Sequence, residues 1–224
     1  MKQEWCIPPK ENAAFVSQME DILDVYQGTY DEQHPLVCMD ECPKQLLTDV
    51  REPLPLAFEQ PRREDYEYHR EGTCNLFLAF APLQGWRNVT VTERRTKVDW
   101  AHYMRDLVDV HFPMAERITV VLDNLNTHML ASLYEAFEPA EARRIARKLE
   151  LHYTPKHGSW LNMAEIELSA LNRQCLKRRI PDRTTMSRVT AAWGDRRNRA
   201  GTTVDWRFTT ADARTKLRRL YPKI

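Results

Sequence analysis

Short apolar runs alternate with helical repeats along this chain, and their order predicts a mixed α/β fold. Each apolar run is four to eight residues long, which suits a buried strand better than a helix. A meander of three strands followed by alternating helices and strands indicates a mixed sheet with helices packed on it. The predicted strands cover residues 36–39, 75–81, 86–93, 117–122 and 149–154, with a hairpin turn at residues 82–85.

Apolar residues at helical spacing predict helices between and around these strands. Phe15, Met19, Ile22 and Tyr26, for example, recur along one helix face. The segment 42–72 differs, because it carries prolines and many charges without a helical period and therefore predicts a long irregular excursion. The predicted helices cover residues 15–26, 97–111, 127–137, 139–148, 160–176 and 183–199.

Charge is unevenly distributed along the chain, although the formal net charge is only +1. Residues 1–172 carry 18 basic and 28 acidic side chains, whereas residues 173–224 carry 15 basic and 4 acidic ones. A basic segment attracts polyanions, chiefly nucleic acid, because it neutralises phosphates and releases counterions. The alternative is that these arginines solvate two C-terminal helices or pair with the acidic body of the chain.

Composition excludes several classes of protein. With 224 residues, 42% of them hydrophobic and 29% charged, the chain is an ordinary globular protein that is long enough to bury a core. No apolar run approaches the ~20 residues of a membrane-spanning helix, and the N-terminus lacks a secretory signal, so we expect a cytosolic protein. The five cysteines are scattered, and no second Cys/His pair with zinc-finger spacing accompanies Cys38 and Cys42, which favours reduced thiols.

Two aspartates follow apolar strands. Asp40 and Asp123 each stand at the C-terminal end of a predicted strand, where ligands gather in open α/β sheets. If the two strands are neighbours, both carboxylates enter one crevice, and their repulsion favours a hard cation such as Mg²⁺ or Mn²⁺ between them. The helix 160–176 offers Glu165 and Glu167 as a third acid, and their directions differ by about 200°. We prefer Glu165; the alternative role for each aspartate is a helix cap or a turn.

Three segments resemble the three blocks of the catalytic domain of mariner-superfamily DDE transposases, in particular the bacterial insertion-sequence members (insertion sequence 630 type). They read VCMDE (37–41), VLDNLNTH (121–128) and HYTPKHGSWLNMAEIELSALNRQCL (152–176). The resemblance runs from about residue 30 to the end of the chain, and the joint presence of the second and third blocks makes it specific. It implies an RNase H-like fold, an α/β mixed sheet with helices on both faces, which agrees with the predicted order of elements.

The resemblance also implies an activity and a site. The activity is that of a transposase, with metal-dependent cleavage and strand transfer at DNA phosphodiester bonds. Asp40, Asp123 and Glu165 would be the catalytic residues and would hold two Mg²⁺ or Mn²⁺ ions. On pattern alone, His128 is more typical of a hydrogen-bonding residue at a helix start. The outer residues that would orient carboxylates or a phosphate are Asn124, His128 and Asn162.

Basic side chains near the third block and in the tail are candidates for contact with the phosphate backbone of DNA. By resemblance, the partner is double-stranded DNA, bound by a homodimer in the bacterial cytoplasm at the nucleoid. Lys44 and the segment 42–72 are further candidates for clamping DNA or a second subunit, whereas Trp206 and Phe208 are more typical of a core than of base stacking. The backbone-contact candidates are Lys156, His157, Lys177, Arg178, Arg179, Arg183, Arg214, Lys216, Arg218 and Arg219.

Two departures from the family pattern stand out. Relatives usually carry an N-terminal helix-turn-helix region that recognises transposon ends, and the residues before 30 are too few for one. We therefore expect a linker or helix at 1–30, the catalytic domain at 31–180 and a basic helical tail at 181–224 packed on that domain, with a separate helix-turn-helix polypeptide as a partner. The separation of 42 residues between Asp123 and Glu165 exceeds that in many relatives, and the extra length falls in a charged helical stretch outside the site.

Two alternatives to a transposase stay open at this point. One is a catalytically silent DNA-binding or assembly protein derived from a transposase, and the other is a different RNase H-like nuclease that acts on RNA–DNA hybrids or junctions. Retention of all three acids counts against the first alternative. The Trp160–Leu161–Asn162 block before Glu165 counts against the second.

Overall fold

A five-stranded mixed sheet forms the centre of the protein. The computed structural model describes residues 7–8, 10–55, 57–61 and 63–223. The strands are β1 (Leu36–Asp49), β2 (Tyr68–Ala81), β3 (Trp86–Thr92), β4 (Ile118–Leu122) and β5 (Leu149–Tyr153). Their order in the sheet is β3-β2-β1-β4-β5, with β1 antiparallel to β2 and parallel to β4. The predicted mixed character of the sheet is confirmed.

Seven α-helices accompany the sheet in the described part of the chain. Side-chain caps explain where several of them begin: Asn12 accepts a hydrogen bond from the backbone N–H of Phe15, and Thr96 and Asp99 form a capping box. The helix predicted over 97–111 ends in a π-helical turn at Leu107–His111. The helices are α1 (Ala13–Tyr26), α2 (Lys97–Asp106), α3 (Ala131–Ala136), α4 (Pro139–Arg147), α5 (Met163–Gln174), α6 (Arg183–Arg199) and α7 (Thr210–Lys216).

Apolar residues separate into two clusters, one on each face of the sheet. Residues that alternate along β1 divide between them, since Cys38 belongs to one cluster and Met39 to the other. The first cluster contains residues of α1, α5 and α6, including Trp193, and the second contains residues of α2, α3 and α4, including Trp100. The expectation of helices on both faces is therefore confirmed.

The segment after α6 packs on the first cluster. Trp206 lies with its ring centroid 5.1 Å from that of Tyr26 and 6.5 Å from that of Trp160, and Phe208 meets Trp160 at 6.0 Å. These contacts fit a core role for Trp206 and Phe208, as the sequence predicts.

The prediction of an irregular excursion over residues 42–72 is wrong at both ends. β1 continues to Asp49 and β2 begins at Tyr68, so the two strands form a long antiparallel arm, and the described residues between them, 50–55, 57–61 and 63–67, lie outside both strands. The β2 half of this arm is exposed from Tyr68 to Thr73. Because a ribbon with little burial needs no apolar face, its sequence lacks the alternation that indicates a strand.

Two further expectations concern membranes and cysteines. No helix within the described ranges has the length and apolar character needed to cross a membrane. Cys38, Cys42, Cys74 and Cys175 are free thiols, as predicted, and Cys6 lies outside the described residues.

Candidate active site

Two neighbouring parallel strands bring Asp40 and Asp123 together. The parallel register of β1 and β4 pairs Cys38 with Val121, and each aspartate lies two residues beyond that pair. Asp123 directly follows the end of β4, as predicted. Asp40 does not end its strand, because β1 continues on β2 after it has left β4. The crevice therefore opens where β4 stops and β1 continues beside β2 only.

Helix α5 presents Glu165 to this crevice. Asn162 caps α5, since its side chain accepts a hydrogen bond from the N–H of Ala164 at 3.0 Å. The same side chain donates from Nδ2 to the carbonyl oxygen of Met39 at 2.9 Å, so the start of α5 is tied to the strand residue before Asp40. Glu165 stands in the first turn of α5 with its side chain exposed.

The charges of Asp123 and Glu165 act on Asp40. Burial raises the pKa of Asp40 to about 7, and the negative charges of Asp123 and Glu165 act in the same direction. A hydrogen bond from the backbone N–H of Glu41 to Oδ1 of Asp40, at 2.7 Å, and the charge of His128 oppose this shift only in part. The ionised form of Asp40 thus lacks sufficient compensation from the groups around it.

The donor set fits a divalent cation. Three carboxylates supply the hard oxygen ligands that Mg²⁺ and Mn²⁺ prefer, and a cation would favour the ionised form of Asp40. No three His, Cys, Asp or Glu side chains in the described part of the chain already stand in ligating geometry. Asp123 instead directs Oδ1 toward Nδ1 of His128, at 2.5 Å. The residues present thus match the chemistry of a metal centre without its final arrangement.

His128 links two carboxylates, which differs from the helix-start role that its position in the sequence favours. It lies before α3, its side chain is fully buried, and its Nε2 is 2.7 Å from Oε1 of Glu41. Burial alone would lower the pKa of His128, but hydrogen bonds and charges from Asp123 and Glu41 together raise it to about 9. Glu41 is a residue of this site that sequence reasoning missed. The sequence feature that could have identified Glu41 is a second acidic residue directly after Asp40, at the end of an apolar strand segment.

Glu167 has different surroundings from Glu165. Its carboxylate is buried, with Oε1 3.0 Å from Nε of Arg87 and 2.6 Å from Nε of Arg197. Oε2 accepts a second bond from Nη2 of Arg197 at 3.0 Å. Glu167 therefore joins α5 to β3 and α6, and its charge is neutralised inside the protein.

Several of the predicted DNA contacts are already paired within the protein. Arg179 binds Asp49 at 2.6 Å and donates to the carbonyl oxygens of Glu67 and Asp65, so it fastens the arm to the segment after α5. The other paired side chains and their partners are Arg183 with Glu93 at 3.3 Å, Arg214 with Glu20 at 2.8 Å, and Lys216 with Asp212 at 3.1 Å.

Other predicted contacts remain open to solvent. Lys177 and Arg178 are exposed and line a groove of about 380 Å³ between the end of α5 and α6, together with Arg196 and Trp193. Among the described residues, none forms a hydrogen bond or ion pair with these three cations. Outside the groove, the exposed candidates are Lys156 and His157 in the turn before α5 and Arg218 after α7; Arg219 is exposed as well but has a contact within the protein, and Lys44 on β1 is half-buried. Asn124, predicted to orient a carboxylate or a phosphate, is exposed directly after β4.

Solved structures share the fold of this chain. The Mos1 mariner paired-end complex with Mn aligns with a TM-score of 0.58 at 14% identity, over 90% of this chain and 62% of that one. The catalytic domain of Mos1 mariner transposase aligns with a TM-score of 0.55 at 13% identity, over 88% of this chain and 91% of that one. The fold is thus the RNase H-like fold of that catalytic domain, as predicted. The chain spans about three fifths of the length of the Mos1 chain in the paired-end complex.

Sequence comparisons supply the family. No curated protein sequence gives a significant match. The family model for DDE superfamily endonucleases matches residues 35–187, which is more than half of the chain and includes Asp40, Asp123 and Glu165. This chain therefore belongs to the DDE superfamily endonucleases.

Proposed function

We propose that this chain is the catalytic domain of a transposase of the bacterial insertion sequence 630 type. Its reaction would be the cleavage of DNA phosphodiester bonds at transposon ends, followed by strand transfer. The observation that carries the proposal is the meeting of Asp40 and Asp123 on neighbouring parallel strands with Glu165 on the helix above them. The family of the chain and the Mos1 fold support it.

In the proposed site, Asp40, Asp123 and Glu165 would hold two Mg²⁺ or Mn²⁺ ions. Such a pair of ions, when bound, supplies a clamp for the attacking and leaving oxygens of an in-line displacement. Asn162 fixes the start of α5 against β1 and thereby sets where Glu165 stands. Asn124 follows Asp123 directly and is exposed, so it is available to a phosphate at the crevice. No covalent bond between protein and DNA is required.

The proposed DNA contacts concentrate in the groove between α5 and α6. Lys177, Arg178 and Arg196 line it, and their charges have no internal counterion among the described residues. A phosphate backbone would supply those counterions without base recognition. Lys156 and His157 lie between β5 and α5, where they would contact the strand that enters the crevice. Arg179, Arg183, Arg214 and Lys216 are less suited to DNA because they bind carboxylates of the protein itself.

The proposed assembly is a homodimer on double-stranded DNA, with a separate helix-turn-helix polypeptide that recognises transposon ends. At the tip of the arm, the side chains of Phe58 and Tyr66 are 91% and 85% exposed, and a second subunit that covered them would remove this apolar surface from water. Mos1 transposase, which has the same fold, has been solved as a paired-end complex with the left transposon end, and this supports a DNA-bound assembly for the present chain. Association with the bacterial nucleoid would follow from DNA binding.

Metal-dependent nicking of supercoiled DNA tests the proposed function. The full chain should convert supercoiled plasmid to open circles with Mg²⁺ or Mn²⁺, and the Asp123→Asn variant should not. A chain that binds duplex DNA but never nicks it would instead support the catalytically silent alternative. Faster cleavage of an RNA–DNA hybrid than of duplex DNA would support a different RNase H-like nuclease.

A further inference from the structure

Adjacent residues of β1 send their carboxylates to opposite faces of the sheet. Cys38 belongs to the apolar cluster on the α5 face, and Met39 to the cluster on the α2 face. Because side chains alternate between the two faces of a strand, Asp40 lies on the same face as Cys38, and Glu41 lies on the same face as Met39. The side chain of Glu41 is only 1% exposed, so this second carboxylate is buried behind the crevice in which Asp40 stands.

His128 connects the buried carboxylate to the crevice. Its Nε2 lies 2.7 Å from Oε1 of Glu41. Its Nδ1 lies 3.3 Å from the backbone carbonyl oxygen of Asp123 and forms an ion-pair contact of 2.5 Å with Oδ1 of the same residue, outside hydrogen-bond geometry. The ring lies 6.0 Å from the ring of Trp100, and the carbonyl oxygen of His128 accepts a hydrogen bond from the hydroxyl of Tyr153 at 2.7 Å. The imidazole is thus held at both nitrogens and at its backbone.

We propose that Glu41 is a positioning residue that sets the orientation of Asp123 through His128. The inference rests on the proposed function, because it assigns Asp123 to a metal site. Glu41 fixes the plane of the imidazole, and the imidazole in turn limits rotation of the Asp123 carboxylate. Outer partners of this kind typically change metal affinity by about 10–100-fold when they are removed.

Arg95 is a weaker neighbour of the same carboxylate. Its Nη1 lies 3.9 Å from Oε2 of Glu41, and its side chain is half exposed. Surface pairs at this distance contribute little. The short contact to His128 therefore dominates the environment of Glu41.

Two substitutions of Glu41 separate positioning from simple packing. Glu41→Leu keeps a side chain of similar size but removes the acceptor for His128. Glu41→Gln keeps an acceptor oxygen at the same place. Ser132→Ala is the matched control, because Ser132 is buried after the same loop and donates to the backbone carbonyl oxygen of Thr127 and not to a carboxylate.

The measurement is Mn²⁺ affinity of the full chain by titration calorimetry, alongside urea unfolding of each variant. We expect Glu41→Leu to bind Mn²⁺ about 10–100-fold more weakly, Glu41→Gln to recover most of the loss, and Ser132→Ala to bind as the unaltered chain does. A purely structural role would lower the stability of Glu41→Leu and leave its Mn²⁺ affinity unchanged.

The outcomes separate this inference from the proposed function. Mn²⁺ affinity in Glu41→Leu equal to that of the unaltered chain overturns the inference, and so does a Glu41→Gln variant as weak as Glu41→Leu. An unaltered chain that binds Mn²⁺ without nicking DNA contradicts the proposed function alone, because the affinity comparison still stands. An unaltered chain that fails to bind Mn²⁺ contradicts both.

Discussion

Two glutamates of α5, two residues apart, belong to charge clusters with opposite properties. Glu167 is buried and compensated by Arg87 and Arg197. Glu165 is exposed and shares a crevice with Asp40 and Asp123, and its charge raises the pKa of Asp40. The first cluster binds elements of the fold together, whereas the second brings three carboxylates together with the imidazole of His128 as an opposing charge beside Asp123.

This difference in charge compensation indicates which cluster affects stability and which affects activity. A buried ion pair depends on its partners being present, because an uncompensated buried charge is strongly unfavourable. Carboxylates that are only partly compensated repel one another, and an external cation that joins them favours their ionised forms. We therefore expect substitutions in the first cluster to alter stability and substitutions in the second to alter activity.

The largest expected effect is the loss of cleavage in Asp123→Asn. Removing one ligand charge should lower the rate of plasmid nicking by about 10³-fold or more, since metal catalysis contributes several kcal/mol to the barrier. The free energy of unfolding should change by less than about 1 kcal/mol, because relief of like-charge repulsion offsets lost contacts. Asp40→Asn and Glu165→Gln should behave alike, and undiminished nicking by any of the three would remove that residue from the site.

The next largest effect is on stability, in Glu167→Gln. The change leaves the buried guanidinium of Arg87 without its counterion, which should lower the free energy of unfolding by about 3–5 kcal/mol. Urea unfolding measures it, and Glu165→Gln is the matched control with an expected change of about 0.5 kcal/mol or less. Equal losses in the two variants would break the comparison between the clusters.

Asn162→Ala should affect helix α5, which carries both Glu165 and Glu167. It removes the cap of α5 and leaves the carbonyl oxygen of Met39 without its donor, which should cost about 1–3 kcal/mol in unfolding free energy. Because α5 also positions Glu165, the nicking rate of the folded protein should fall as well. A variant with lower stability and an unchanged nicking rate would show that the cap stabilises α5 without positioning Glu165 for catalysis.

A smaller effect is expected in the groove between α5 and α6. The double variant Arg178→Gln/Arg196→Gln should weaken duplex DNA binding and reduce the slope of log affinity against log salt by about 1–2. The control is Arg143→Gln/Arg147→Gln, which removes the same charge from exposed positions of α4 on the other face of the sheet. Identical salt slopes in the two double variants would exclude a specific role for the groove.

The smallest effect concerns a surface network. Arg144 pairs with Asp109 and Glu141 at 2.7 Å, and its hydrogen bond holds the pKa of Asp109 below its ordinary value. The contribution is therefore present at neutral pH and is lost as the pH falls through the lowered pKa. Arg144→Ala should cost about 0.2–1 kcal/mol at pH 7 and less near pH 3. Thermal unfolding at the two pH values checks it, and a cost that grows in acid would contradict the assignment.

Much of the fold was predictable because its strands and helices bury one or both faces. The apolar runs that became β4 and β5 and the helical face from Phe15 to Tyr26 carry this signal directly. The arm formed by β1 and β2 was missed, because its strands are partly exposed and carry no apolar alternation.

The site divides in the same way. The sequence by itself determined the family, the order of strands and helices along the chain, and the preference for Glu165 over Glu167 through helical direction. Only the tertiary structure decided which basic side chains are already paired, as Arg179 and Arg183 are, and that Glu41 reaches Asp123 through His128. The physical reason is that periodicity records which face of an element is buried, whereas the partner of a charged group depends on contacts between residues far apart in the chain.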